Sequence, residues 1–169
     1  MREPPLGLDK IPHAGLQRLM DEVIAAPTTE MLLMGVYELA LPAVLRACKR
    51  LKEDAHPLAD APTVRIAKLM EFELSDAQQF GEAAIQQLVN SDVREAAALW
   101  LGVLRQCLQA AGELDGTQAA SDEVPAPIHS REPYCFVKEP RRDERFQDSF
   151  NAGVNPEAFL YDERFLANK

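Results

Sequence analysis

The chain has 169 residues, 47% of them hydrophobic, enough for one domain with its own core and too few for two independent ones. A net charge of −9 and a pI near 4.8 create an acidic field that repels nucleic acid and anionic lipid, so proteins, small molecules or cations are the expected partners. Cys48, Cys107 and Cys135 are odd in number, widely spaced and free of any C-x-x-C pair, so neither a disulfide framework nor a zinc cluster is suggested and a reducing cytoplasm is expected.

The N-terminus, MREPPLGLDKIPHAG, has no signal-peptide apolar core, and no run is expected to approach the roughly 18 apolar residues that span a bilayer. From His13 to about Leu114 apolar residues recur every three or four positions, which predicts an all-α core. The first helix is predicted over 12–25, with Leu16, Leu19, Met20 and Val23 on one face and Glu22 off it. Pro27-Thr28-Thr29 ends it and caps a second helix over 29–52, carrying Met34, Tyr37, Leu41, Leu45 and Cys48 inward. His56-Pro57 breaks the chain. Asp60 as N-cap and Pro62 as an early helical residue start a third helix over 61–89, whose stripe is Ala67, Met70, Leu74, Ala77, Gly81, Ala84 and Leu88. Ser91 caps a fourth helix over 92–113 that buries Val93, Ala96, Trp100, Val103, Leu104 and Cys107. Short links imply an antiparallel four-helix bundle over 1–114.

After Gly112 the composition shifts. Residues 115–132 read as a Pro/Ser/Ala linker, and 133–169 as a C-terminal arm holding Tyr134, Phe136, Phe146, Phe150, Phe159, Tyr161 and Phe165. A disordered tail is poor in aromatics, so this arm is expected to dock on the bundle or on a partner subunit, with Arg141, Arg142 and Arg145 pairing with acids.

The stretch MEFELSDAQQF raises the possibility of a metal-binding face. At about 100° per residue, Glu73 falls roughly 60° from Met70 and Glu38 roughly 60° from Leu41, both inside the expected apolar arcs, whereas Glu71, Asp76 and Glu82 fall on the solvent shoulders. Pro42 offers no N–H to the carbonyl of Glu38, so the second helix should kink or open there. Either Pro42 simply bends a long helix and Glu38 reaches the rim, or Tyr37, Glu38, Pro42 and Glu73 line a metal or small-ligand pocket. A buried carboxylate pair would need a cation or a shared proton.

Inward-facing glutamates at mid-helix, together with HPLADAPTVRIAKLMEFELSDAQQFGEAA, resemble the ferritin-like superfamily over roughly residues 12–112. The resemblance implies a glutamate from each of two helices and a Glu-x-x-His pair from each of the other two. Here Glu38 is followed three places on by Leu41 and Glu73 by Asp76, and His13, His56 and His129 all fall at helix ends or in linkers. A ferritin-like fold without a working di-iron site is therefore expected, with no cofactor, and iron or manganese at Glu38 and Glu73 as the alternative. P-loop, dinucleotide, nucleophile-elbow and zincin motifs are absent from the sequence. The expected role is association, as a homodimer or with a protein partner, through the arm. Arg65, a cation near a helix start, is expected to pair with Asp60.

Overall fold

The computed structural model describes residues 10–132 and residue 135. Two compact units divide the chain, Met1–Tyr134 and Cys135–Lys169, and the predicted arm lies outside the described residues apart from Cys135, whose thiol is exposed. The described part of the first unit is helical, without strands: α1 (Ala14–Ile24), α2 (Thr29–Met34), a π-helical stretch (Gly35–Ala40), α3 (Leu41–Asp54), α4 (Ala61–Leu88) and α5 (Ser91–Ala110).

Local chemistry sets the ends. Thr28 Oγ1 accepts from the Met31 N–H at 3.2 Å to start α2. His13 caps α1 with its ring, Nδ1 accepting from the Gly15 N–H. Asn90, one residue before the expected Ser91, caps α5 by accepting from the Val93 N–H at 2.9 Å. Asp60 precedes α4 as expected, but its carboxylate makes no cap and turns back to accept from the His56 N–H.

From α2 through the π stretch to α3 the chain is one rod, Thr29–Asp54, of 26 residues. It contains an 18-residue window of mean hydropathy 1.5, so by length and composition alone a span-like helix is present where none was expected. α4 packs along one side of it and α5 along another, and 33% of that window is buried. The predicted kink at Pro42 takes the form of the π stretch: the Leu41 N–H reaches back five residues to the Val36 carbonyl, so the register shifts one residue before the proline.

α1 packs on α5, α5 on the rod, and the rod on α4. The outer two, α1 and α4, each have one extensively packed neighbour, whereas a closed four-helix bundle would give each of them two. The core lies where α1, α5 and α2 meet, around Leu19, Met34, Trp100, Leu104 and Cys107. Trp100 fits there because Gly35 faces it; a Cβ on Gly35 would come 2.7 Å from the indole.

The 115–132 segment is exposed over 115–123 and partly buried from Val124 to Ser130, and it is tied back to the helices. Gly112, at φ +73°, turns the chain out of α5, and the Ser121 N–H donates to the Ala110 carbonyl at 2.8 Å. Residues 124–130 then run past α1 as a strap whose Ile128 packs on the core.

Candidate functional site

The π stretch leaves one carbonyl short of a donor. With the register shifted by one, the group positioned to serve the Tyr37 carbonyl is the nitrogen of Pro42, which carries no hydrogen. Gln78 of α4 takes over this role, its Nε2 donating to the Tyr37 carbonyl at 2.9 Å and to Glu82 at 3.1 Å. Beside it the Tyr37 ring lies directly on Gly81, so closely that a Cβ there would fall 2.1 Å from the ring, and Phe80 meets the ring edge-on at 6.2 Å between centroids. Tyr37 thus serves to seat α4 on the rod.

Glu38 turns to α5, where Arg94 donates to both of its oxygens at 2.9 and 3.2 Å in a half-exposed bidentate pair. Glu73 is exposed and makes no hydrogen bond or ion pair among the described residues. Nothing of that kind links the two glutamates, and among the described residues no three His, Cys, Asp or Glu side chains are grouped as a metal site. The expected inward lean of Glu73 is corrected by where α4 turns its buried face. That face centres on Ala67 and Ile85, about 60° beyond Met70, which carries Glu73 outward. The same rotation brings Glu71, expected in solvent, to a half-buried position where Lys52 of α3 hydrogen-bonds it and holds its carboxyl below the usual range.

The buried acid is Glu22, on α1 and completely inaccessible, which corrects its placement off the apolar face. Its carboxylate accepts from the Trp100 Nε1–H at 3.0 Å, the backbone N–H groups of Ile128, His129 and Ser130 at 2.9–3.1 Å, and the Ser130 hydroxyl at 2.6 Å. No cation pairs with it among the described residues. Three successive N–H groups form a concave anion-binding nest, here filled by the chain's own carboxylate. Burial pushes the Glu22 pKa up, but the Ser130 hydroxyl and the three backbone donors outweigh it and hold the carboxyl below its ordinary value. Glu22 was detectable: it lies roughly 60° from Leu19, the same offset that singled out Glu38 and Glu73. The only tryptophan of the chain, central on an apolar face, also needs an acceptor for its indole N–H.

Cys107 is fully buried near this cluster, and desolvation pushes its thiol up to about 11, so it is no nucleophile. His13 and His56 spend Nδ1 on backbone N–H groups, and His129 is exposed, its ring tilted toward Trp100 at 6.4 Å.

What remains is a surface. Opposite Ala67 and Ile85, the outer side of α4 presents Ile66, Leu69, Phe72 and Phe80 at 58%, 57%, 69% and 65% exposure. Taken around the helix from Leu69, Phe80 lies at about 20°, with Ile66 and Phe72 about 60° to either side, so the four form one stripe. Apart from the edge contact of Phe80 with the Tyr37 ring, no described element covers it. Arg65, Glu73 and Asp76 are interleaved within the same arc, and an exposed apolar patch of this extent marks an interaction site more often than apolar residues scattered singly.

No family model matches the chain, and neither a curated protein nor a solved structure does.

Proposed function

We propose that this chain is a helical association module that binds a protein partner through the outer face of α4, on an open helical scaffold without a working di-iron centre. The observation that carries the reading is the uncovered stripe Ile66, Leu69, Phe72 and Phe80 on a helix that packs extensively only on the rod. The remaining features support a structural role for the other groups considered: Glu38 is engaged by Arg94, Tyr37 seats α4, and Glu22 is saturated by donors.

In-cell photo-crosslinking tests this. p-Benzoylphenylalanine at Phe72 or Phe80 should give adducts of discrete mass, while the same probe at Leu99, an exposed apolar residue on α5, should not. Absence of adducts from both α4 positions, or equal yields at all three, would overturn the reading.

A further inference from the structure

The charges on the outer face of α4 are unevenly distributed along it. Its cations, Arg65 and Lys68, lie in the first two turns, and the exposed acids Glu73 and Asp76 follow. Arg65 was expected to pair with Asp60, but that carboxylate is taken by the His56 N–H, and among the described residues Arg65 makes no ion pair. Asp76 makes none either. Both project from the stripe, on the same side of Leu69 as Phe72, at about 40° and 20°.

We infer that the occupant of the α4 face is the α4 face of a second copy of this chain, the two helices antiparallel about a two-fold axis that passes level with the Met70–Glu71 peptide. The inference rests on the association reading above and names its partner. A two-fold perpendicular to an antiparallel pair keeps residues of like angular offset on the same side of the interface, so the register can be read from the wheel. With the axis at this level, Arg65 of each copy stands opposite Asp76 of the other, with Lys68 one turn away. Leu69 of each copy stands level with Phe72 of the other.

Shape agrees with charge. A hollow of about 430 Å³ lies on the same side, lined by Pro57, Ala61, Val64, Arg65, Lys68 and Leu69. Phe72 of the second copy arrives beside its Leu69 wall, and Phe80 arrives level with Ala61 at its end. Two alternative antiparallel registers are worse. Centring the pair on Asp76 sets that acid against itself, and centring it between Leu74 and Ser75 sets Asp76 against Glu73. Parallel pairing juxtaposes every charge with its like. Repulsion of this kind fixes register and orientation more than it adds affinity. A single helix pair lies near the small end of specific interfaces, around 1,200 Å² in total, so dimerisation should be micromolar and salt-dependent.

Sedimentation equilibrium of the full chain from 1 to about 500 µM tests the register through a charge swap. R65D and D76R should each weaken the dimer by about tenfold or more, because each places two like-charge pairs across the axis, and the double variant R65D/D76R should return to within about threefold of wild type. R65D puts an acid in the first turns of α4, where it suits the helix dipole, so lost association cannot be put down to a failed helix; circular dichroism checks both variants. A chain monomeric throughout the range, a dimer indifferent to the single changes, or a double variant that fails to recover would each overturn the proposal. Its failure is separable from that of the broader reading. Adducts at Phe72 and Phe80 of a mass other than twice the chain would leave association through α4 standing and remove the second copy.

Discussion

Removing the Glu22 carboxylate should be among the most damaging single changes in the described part of the chain. Glu22→Ala strips five donors of their acceptor at once: the Trp100 indole, three backbone N–H groups and the Ser130 hydroxyl. The four strap donors lie at the half-exposed edge and can turn to water when the strap lifts, whereas Trp100 is 1% exposed and its N–H cannot. One orphaned buried donor costs about 1–3 kcal/mol, a charge-assisted bond contributes roughly 1.5–3 kcal/mol, and the strap bonds are lost together rather than additively. A loss of about 3–5 kcal/mol is therefore expected, from a total that in domains of this size is about 5–15 kcal/mol. Glu22→Gln should lose roughly half as much, because its amide keeps one acceptor but turns an N–H₂ toward donors. Trp100 is the sole tryptophan, so urea unfolding followed by its fluorescence reads the loss directly, and amide hydrogen exchange at Ile128, His129 and Ser130 reports the strap. The pH dependence follows from the sign. The folded-state pKa is depressed, so the stabilisation is complete above the unfolded glutamate value of about 4.3 and fades as pH falls through the folded value. The wild type should then lose stability on acidification more steeply than Glu22→Gln. A Glu22→Ala protein within 1 kcal/mol of wild type, with unchanged exchange protection at 128–130, would refute the reasoning.

Three other outcomes are expected. Gly81→Ala drives a Cβ into the Tyr37 ring and should destabilise by about 2–4 kcal/mol in thermal or urea unfolding, whereas Gly102→Ala, which meets nothing within 4 Å, should be neutral or stabilising by up to about 1 kcal/mol. The Glu38–Arg94 pair is half-exposed, so a double-mutant cycle with alanine should give a coupling of about 1 kcal/mol or less, and adding iron or manganese should leave the Tm of wild type and Glu38→Ala alike unmoved; a metal-dependent rise lost in Glu38→Ala would revive the pocket reading. Titration with a thiol reagent at pH 8 should modify one cysteine of the native protein quickly, Cys135, and the buried Cys48 and Cys107 only on unfolding; mass spectrometry of the labelled peptides assigns them.

Helix positions were legible to within a few residues because capping and proline signals act locally: Thr28 and Pro62 sit where their chemistry requires. Helix facing was less so. On α5 the buried row is Ala97, Trp100, Leu101, Leu104, Cys107 and Leu108, while the expected Ala96 is exposed, and on α4 Met70 and Leu88 are solvent-facing where a core stripe was expected. An apolar residue on a helix records that the position meets something apolar, and it does not say whether that lies inside this chain. On α4 the apolar positions run nearly all round, so their pattern could not separate the face packed on the rod from the outer one. The strap was illegible for a different reason. Its attachment is made by backbone N–H groups, which every residue except proline carries, so VPAPIHS shows no sign of the carboxylate it encloses.

The site residues expected from the wheel were candidates because inward acids are costly, and that cost explains where each one went. Glu38 met a guanidinium and Glu73 stayed in water, while Glu71, expected on a solvent shoulder, met an ammonium group. Only Glu22 is fully buried, and it is held by hydrogen-bond donors rather than by a cation. A saturated carboxylate has no lone pair free for a ligand, so the buried acid fixes the strap while chemical freedom lies on the outside of α4. The proline in the rod connects these two ends of the molecule. Because Pro42 cannot serve the Tyr37 carbonyl, Gln78 must, and Gly81 must stay small to let Tyr37 in. Those two contacts fix which side of α4 faces the rod, and therefore which side carries Leu69, Phe72, Arg65 and Asp76 outward.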